Sequence, residues 1–325
     1  MTLKEKKIKF EKDSRVYEQK KLSFHGAEGY DVYNCSIPFY WNGDRYMFGR
    51  VEKRTEWARS VIRLFKEIDT DEFAVVPGSM IYQLEDPCIS IIHKELVLGG
   101  TFVRYSGGEI DTYYGHFYRG EDVRDLAYFT TGPKRMKDIR LVELSDGKIG
   151  VFSRPRGQDI LKRYGSESML GFDVIDSLNE LTADRINQIP YITGLYNEGE
   201  WGGCNQAYLL EDGLIGCIGH GSYPDKGADG KDIKVYVNTA FVINPKTREL
   251  LKNEIIATRN SYPAGDAKVP HLIDCTFTSG IIPREDNKVD LYAGLGDCEE
   301  GRIVIDNPFM EYGNIVFSHM GRFHF

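Results

Sequence analysis

The sequence predicts an all-β fold, and within that class a five-bladed β-propeller. The first observation is a unit of two strands joined by a turn, which recurs five times along the chain. The units begin about 51 to 71 residues apart, close to the spacing of propeller repeats. The second observation is that helical periodicity is scarce. Five radially arranged sheets of about four strands account for both observations, whereas a β-sandwich, the structural alternative, leaves the five equivalent units unexplained.

Each unit has the same internal order. A short polar or small-residue segment leads into an apolar strand, a Gly, Asp or Asn turn, and a second strand that ends in Gly or Arg. Turns such as Asn42-Gly43 and Asp146-Gly147 are typical of β-hairpins. A further β-rich stretch follows each unit and supplies additional strands. The units are "NCSIPFYWNGDRYMFGRVE" from Asn34, "DPCISIIHKELVLGGTFV" from Asp86, "KDIRLVELSDGKIGVFSR" from Lys137, "CNQAYLLEDGLIGCIGHG" from Cys204 and "CTFTSGIIPREDNKVDLYAGLGD" from Cys275.

A single domain over residues 1–325 contains all five units. Residues 1–30 are predicted to form an N-terminal arm with a closing strand, and the mixed-charge segment "KEKKIKFEKD" within it is predicted to be solvated. An insertion lies between blades 3 and 4 at about residues 158–200, where residues 171–189 are the best candidate for a short helix. The C-terminal "NIVFSHMGRFHF" is predicted to close the ring by adding a strand to an N-terminal blade.

Composition excludes several classes of partner. The formal net charge of −8 leaves no basic stripe to neutralise phosphates, so we expect no nucleic-acid binding. The six cysteines are scattered without metal-ligand spacing and are predicted to be reduced thiols of a cytoplasmic protein. No apolar run approaches the roughly 20 residues that span a membrane, and no signal peptide is recognisable. No acid-rich loop indicates a calcium site, so no metal and no cofactor are expected.

The first strand of each propeller blade lines the central channel, so the five opening segments are expected to meet at one end of it. Asp86 stands in "EDP" directly before an apolar strand, although strands are depleted in Asp and Pro. Asn34, the pair Lys137-Asp138, the Cys204 region and Cys275 open the other units. The sequence therefore predicts one central site built from residues that are distant along the chain.

The residues near these segments indicate chemistry on an anion and a sugar. An acid among apolar side chains can have its pKa raised enough to donate a proton near neutral pH, and several cations around a cleft suit an oxyanion such as phosphate. One acid with a basic anion site differs from the two carboxylates of most glycosidases. In a phosphorolytic enzyme phosphate itself is the nucleophile, so no second carboxylate is needed as base. The candidates are the acids Asp86 and Asp138, the cations and donors Arg50, Arg104, Lys137, Arg140, Arg154, Arg156 and His220, and the aromatics Tyr33, Trp41, Tyr114 and Trp201.

The same motifs resemble glycoside hydrolase family 130, the β-mannoside phosphorylases, and more closely glycosyltransferase family 108, the β-1,2-mannan phosphorylases and mannosyltransferases. The resemblance covers all five blades in order, from about residue 34 to residue 297. Two departures, Cys88 where the family has Arg and Val142 in a degraded Phe-Pro-Glu, favour the transferase relatives. The matching segments are "YN" at 33–34 with "GRVE" at 49–52, "EDP" at 85–87, "KDIRLVE" from 137, "GHG" at 219–221 and "FTSGIIPREDNKVDLYAGLGD" at 277–297.

The resemblance implies inverting phosphorolysis of β-1,2-linked mannooligosaccharides to α-mannose 1-phosphate, and the reverse synthesis. Asp86 would donate the proton to the glycosidic oxygen, directly or through a sugar hydroxyl. Inorganic phosphate would be the co-substrate and the nucleophile. Arg104, Lys137, Arg154 and His220 would hold phosphate, and Tyr33, Asn34, Arg50, Asp138 and Asp297 would bind the mannosyl unit.

Two alternatives remain at this stage. A β-mannosidase on the same fold would use water and would need a second acid, for which Glu198, Glu200 and Asp138 are candidates. A non-catalytic propeller that binds glycan or protein would keep the channel and its aromatics but would not depend on Asp86.

Overall fold

The computed structural model describes residues 1–316, which are almost entirely β-structure with few helices, so the all-β prediction is confirmed. Among these residues, five sheets follow one another along the chain. Their inter-strand pairs are antiparallel, apart from one parallel pair in the first sheet. The hairpin turns carry the Gly, Asn and Asp residues that left-handed turn positions require, for example Asn42-Gly43, where both φ angles are positive.

The strands are numbered in chain order. The first sheet contains β2 (Ser23–His25), β3 (Asp31–Tyr33), β4 (Phe39–Trp41), β5 (Asp44–Glu52), β6 (Val61–Asp69) and β7 (Glu72–Val75). The second contains β8 (Glu85–Ile92), β9 (Glu95–Ser106), β10 (Glu109–Gly120) and β11 (Ala127–Thr131). The third contains β12 (Arg140–Glu143), β13 (Ile149–Ser153) and β14 (Gly171–Ile175), and the fourth contains β15 (Trp201–Leu209), β16 (Ile215–Lys226), β17 (Asp232–Ile243) and β18 (Leu250–Ala257). The fifth contains β19 (Thr276–Pro283), β20 (Lys288–Leu295), β21 (Glu299–Asp306) and β1 (Glu18–Lys21).

The sheets form a closed ring. β5 contacts β8, β8 contacts β12, β12 contacts β15, β15 contacts β19, and β21 contacts β3 of the first sheet. The apolar core is divided into layers between neighbouring sheets, one between the first and second, one between the second and third, and so on around the ring. The inner strands β8, β15 and β19 are buried along almost their whole length, because both faces of each sheet pack against a neighbour.

Ring closure uses the N-terminal segment. β1 pairs antiparallel with β21, with Gln19 opposite Ile303, so a strand from the predicted N-terminal arm completes the last sheet. The prediction that the C-terminal segment extends an N-terminal blade does not hold where the structure describes it. Ile315 bridges to Leu210, which belongs to the fourth unit. The remainder of that segment lies outside the described residues.

The helices correct two predictions. The segment predicted to be solvated is α1 (Leu3–Asp13), which begins with a Thr2–Glu5 capping box and packs Leu3 against the fourth sheet. Residues 171–189 are not one helix: they begin with β14, because Gly171 to Ile175 pair with β13 and bury an apolar face. The other helices are α2 (Gln158–Tyr164), α3 (Ala183–Asn187) and the 3-10 turns Leu178–Glu180, Arg259–Ser261, Pro270–Leu272 and Met310–Tyr312.

None of the helices in residues 1–316 is both long and apolar enough to cross a membrane.

Candidate active site

A cavity of about 330 Å³ lies where the five opening segments meet. Each of the five sheets, or the segment next to it, contributes to the wall. Most of the lining side chains are polar, and Trp201 and Phe277 add aromatic surface. The polar lining residues are Asn34, Arg50, Glu85, Asp86, Thr101, Tyr113, Lys137, Arg154, Arg156, Glu167, His220, Lys234, Tyr236, His271 and Asp297.

The backbone at this cavity explains why Asp and Asn occupy unexpected positions. The β8–β9 register shifts between Glu85 and Cys88, so Asp86 sits in an irregularity of the strand, with φ of 50°. Asn34, Asp138 and Asp297 also have left-handed backbones, with φ of 46°, 58° and 57°. Asn and Asp tolerate this region better than other non-glycine residues, and such conformations cluster at functional sites. The acid before the strand is thus a distorted strand position that turns its carboxylate toward the cavity.

Asp86 is buried and held by three neighbours. Its Oδ1 accepts hydrogen bonds from Arg50 Nη1 at 2.9 Å and Asn34 Nδ2 at 3.0 Å, and its Oδ2 lies 3.4 Å from Lys137 Nζ. Burial opposes ionisation, but the charges of Arg50 and Lys137 outweigh it and hold the pKa of Asp86 below its ordinary value. Asp86 is thus not an acid among apolar side chains alone, because two cations face its carboxylate.

Two further carboxyl groups share this side of the cavity. Glu85 Oε1 accepts a hydrogen bond from Arg50 Nη2 at 3.0 Å, and burial raises the pKa of Glu85 despite that contact. Burial likewise raises the pKa of Asp297, whose Oδ1 lies 3.4 Å from Asn34 Nδ2. Asn34 thus links Asp86 to Asp297. Sequence reasoning overlooked Glu85, although it adjoins Asp86 in the same motif.

Tyr33 supports the site from behind. Its ring is buried under the Arg50 guanidinium, 4.7 Å from ring centroid to Cζ, and its hydroxyl donates to Glu52 Oε2 at 2.5 Å. Lys268 forms an ion pair with the same Glu52. Arg50 also donates to Ser60 Oγ at 2.7 Å. Tyr33 therefore positions Arg50 and does not line the cavity.

Lys137 and Arg154 also line the cavity and form what we call its basic side. Lys137 adjoins Asp86, and Arg154 Nε donates to the Gly202 carbonyl at 2.6 Å. Asp138 lies beneath the wall, in ion pairs with Arg154 and, at 3.5 Å, with Arg140. Burial opposes its ionisation, but Arg154, Lys137 and Arg140 together lower the pKa of Asp138 well below its ordinary value. Asp138 thus fixes the arginine that faces the cavity.

His220 stands on the basic side within an aromatic cluster. Its ring lies 5.7 Å from the Tyr236 ring and 5.0 Å from the Phe277 ring, centroid to centroid. Its Nδ1 is 2.7 Å from Asn205 Oδ1, and its Nε2 has no hydrogen-bond partner in residues 1–316. Burial, reinforced by the charge of Arg154, lowers the pKa of His220 well below its ordinary value. The ring is therefore neutral at physiological pH.

Arg104 is the predicted phosphate ligand that the structure does not bring to the cavity. Its side chain is 52% exposed and is paired with Asp111 of the neighbouring strand. Successive strand residues face opposite sides, and Thr101 and Val103 of β9 line the cavity while Arg104 does not. Of the aromatic candidates, Trp201 lines the cavity, whereas Trp41 donates to the Glu121 carbonyl at another surface.

The acids proposed as bases for hydrolysis are engaged elsewhere. Glu200 is buried and accepts hydrogen bonds from the backbone of Leu3 and the side chain of Asn197. Neither Glu198 nor Glu200 is among the residues that line the cavity. Within residues 1–316, no three His, Cys, Asp or Glu side chains gather in an arrangement that could hold a metal ion.

Comparison with known proteins places these features in context. Residues 8–311 match the model of a family described as "Protein of unknown function (DUF1861)". A search of curated protein sequences finds no match. Among solved structures, the chain is similar to MPT-4, a mannose phosphorylase from Leishmania mexicana in complex with a phosphate ion. The identity is 48%, 98% of this chain and 97% of that chain are covered, and the TM-score is 0.93.

Two other similarities are informative. MPT-1, a GDP-Man-dependent mannosyltransferase from Leishmania mexicana, is 44% identical over 99% of each chain, with a TM-score of 0.91. A β-1,2-mannobiose phosphorylase from Listeria innocua is 15% identical, with 88% of this chain and 93% of that chain covered and a TM-score of 0.60. At that identity, the similarity concerns the fold alone.

Proposed function

We propose that this chain, which belongs to the family described as "Protein of unknown function (DUF1861)", is an inverting mannoside phosphorylase built as a five-bladed β-propeller. It transfers a mannosyl unit from a β-1,2-linked mannooligosaccharide to inorganic phosphate and releases α-mannose 1-phosphate. The same site runs in reverse to build the β-mannoside. Phosphate is the co-substrate, and no cofactor takes part.

The observation that carries this proposal is the division of one cavity into an acidic and a basic side. The acidic part contains Asp86, which contacts Asn34 and Arg50, and the basic part contains Arg154 and also Lys137, which adjoins Asp86. Phosphate suits the basic side because charge-assisted hydrogen bonds to arginine and lysine are the strong ones for oxyanions. The mannose phosphorylase that is 48% identical was solved with a phosphate ion, which supports the same assignment.

The reaction needs one proton and one nucleophile. A phosphate oxygen attacks the anomeric carbon from the face opposite the leaving group, so the new C–O bond forms as the glycosidic C–O bond breaks and the configuration inverts. Asp86 gives its proton to the leaving oxygen, directly or through a sugar hydroxyl. Asn34, Arg50 and Asp297 bind the mannosyl hydroxyls, while Tyr33 and Asp138 hold the binding residues from behind.

Asp86 has a lowered pKa in the free protein, so we infer that it takes up its proton only when the substrates bind. Bound phosphate shares the positive charge of Lys137, which lies 3.4 Å from Asp86, and adds negative charge beside the carboxylate. Both effects raise the pKa of Asp86, because a neighbouring like charge disfavours the ionised form. The acid is thus prepared for donation only when the nucleophile is in place.

Hydrolysis is the less favoured function because two of the acids predicted as its base, Glu200 and Asp138, are tied to other groups. Transfer from GDP-mannose is the second candidate, since the 44% identical relative is a GDP-Man-dependent mannosyltransferase.

The test uses short β-1,2-mannooligosaccharides with and without phosphate, and follows mannose 1-phosphate and free mannose. We expect mannose 1-phosphate only when phosphate is present, and we expect its loss in Asp86→Asn. Asp111→Asn is the matched control, because Asp111 lies in the same sheet but outside the cavity. Circular dichroism verifies the fold of both variants.

Other outcomes would reject the proposal in distinct ways. Free mannose in the absence of phosphate would show a hydrolase. Oligosaccharide growth from GDP-mannose but not from mannose 1-phosphate would show a nucleotide-sugar transferase. Sugar binding without turnover, undiminished in Asp86→Asn, would show a binding propeller.

A further inference from the structure

Asn205 is a buried polar residue to which the proposed reaction gives no task. It occupies the point in β15 where the pairing with β16 shifts, between Cys204 and Gln206. Its backbone carbonyl accepts a hydrogen bond from Arg140 Nε at 2.7 Å, and its side-chain Oδ1 lies 2.7 Å from His220 Nδ1. Asn205 does not line the cavity, whereas His220 does. The asparagine therefore reaches the cavity only through the histidine.

The contact decides which ring nitrogen of His220 carries the proton. A neutral imidazole has one N–H donor and one bare acceptor nitrogen. The hydrogen bond made by one nitrogen fixes the state of the other. The amide oxygen of Asn205 can only accept, so Nδ1 is the donor and Nε2 is the bare acceptor. A second proton is disfavoured by burial first, and then by the charges of Arg154, Lys137 and Arg140, which Asp138 opposes only in part.

The result is an acceptor on the basic side of the cavity. Lys137 and Arg154 offer donors to any oxyanion, whereas Nε2 of His220 is buried and has no partner in residues 1–316, so an anion can form a hydrogen bond to it only by bringing its own proton. Hydrogen phosphate carries a P–OH group. Sulfate has nearly the same size and charge but carries no proton at neutral pH, so one of its oxygens would face the nitrogen lone pair.

We propose that Asn205 is a positioning residue that holds His220 as the Nδ1–H tautomer, so that Nε2 accepts a hydrogen bond from the P–OH group of hydrogen phosphate and the site rejects sulfate. This inference rests on the proposed phosphate site and adds its selectivity. We expect a preference for phosphate of about 10- to 100-fold, which corresponds to about 1.4–2.8 kcal/mol and lies within the cost of an unpaired buried polar group.

The test is calorimetric titration of the folded protein with sodium phosphate and with sodium sulfate at the same neutral pH and ionic strength. For the native chain, we expect phosphate to bind at least about tenfold more tightly than sulfate. In Asn205→Leu, no side-chain oxygen fixes which ring nitrogen of His220 carries the proton. In Asn205→Asp, the carboxylate favours a doubly protonated His220 ring, which donates from Nε2. In both variants we expect the ratio of the two affinities to fall toward one, because sulfate binding improves relative to phosphate binding.

Asn253→Asp is the matched control, because Asn253 lies in the same sheet and donates to the Leu195 carbonyl, away from His220. Its ratio should equal that of the native chain. A merely structural role for Asn205 would weaken both anions together and leave the ratio unchanged, which would overturn the inference. Equal affinities in the native chain would also overturn it, since Nε2 would then be a donor, while the phosphate site would stand. No phosphate binding at all would reject both the site and the inference.

Discussion

Glu300 offers a direct test of how burial controls charge in this protein. It lies on β21 and is buried, with Oε1 accepting a hydrogen bond from Ser279 Oγ at 2.8 Å and Oε2 accepting one from the Cys35 amide at 3.1 Å. No cation forms an ion pair with it in the part of the chain that the structure describes. Burial is the largest effect and raises the pKa of Glu300 from its ordinary value of 4.5 to about 7.

The sign of the effect on stability follows from proton binding. Between pH 4.5 and about 7, the folded protein holds a proton at Glu300 that the unfolded chain has released. The unfolded state binds fewer protons in this range, so the free energy of unfolding falls as the pH rises and becomes constant above about pH 7. Since one pKa unit is about 1.36 kcal/mol, the loss between pH 5 and pH 8 is about 2–3 kcal/mol.

Glu300→Gln should remove this loss. The amide has the shape of a protonated carboxyl group: its oxygen can accept from the Cys35 amide and its NH₂ can donate to Ser279. Urea denaturation at pH 5, 6, 7 and 8 measures the free energy of unfolding. We expect the variant to lie near the native protein at pH 5 and to gain about 2–3 kcal/mol relative to it by pH 8.

The control is Glu299→Gln at the preceding residue, whose side chain is partly exposed and paired with Lys21. It should change stability by less than about 1 kcal/mol at every pH. A difference between Glu300→Gln and the native protein that stays constant from pH 5 to pH 8 would refute the reasoning, because other titrating groups are common to both proteins and cancel.

Two further predictions concern the basic side of the cavity. Asp138→Asn should lower the free energy of unfolding by about 3–5 kcal/mol, since it leaves Arg154 and Arg140 buried without their counter-ion; urea denaturation measures this, and a loss below about 1 kcal/mol would contradict it. Lys137→Met should raise the KM for phosphate about 10- to 100-fold, whereas Arg104→Met, the control from the exposed side of β9, should change it less than about twofold; equal effects in phosphorolysis assays would contradict the placement of Arg104.

The sequence predicts the central part of the site because each repeat places its opening residues at the same end of the central channel, so residues far apart along the chain lie close together. Asp86, Lys137 and Asn34 each open a unit, and the ring brings them to one cavity. Asp86 and Asn34 also have left-handed backbone conformations, which most residues avoid and which Asp and Asn tolerate. In the sequence, this requirement is visible as the acid of "EDP" directly before an apolar strand, where acids are rare. Repetition and turn chemistry are local properties, so they can be recognised without the fold.

The sequence does not reveal which face of a strand a residue occupies, or which residue from a distant part of the chain pairs with it. Arg104 follows Val103, which faces the cavity, so its side chain points to the opposite face of the strand. Most of this strand is buried on both faces, so the sequence shows no polar–apolar alternation that would identify the face toward the cavity. The N-terminal helix is strongly polar, so its charges predict a solvated arm. Lys7 is nevertheless buried in it, because Asp274 meets it from the far end of the chain at 3.0 Å. The capping box at Thr2 and Glu5 is the one local signal that indicates this helix.

The pairing of β1 with β21 determines the order in which the protein can be completed. β1, at Glu18–Lys21, is synthesised before its partner β21, at Glu299–Asp306. Most other strand pairs join neighbours along the chain and can form as they emerge, whereas this seam must wait until β21 has been made. A nascent chain therefore carries β1 without its sheet partner until that point.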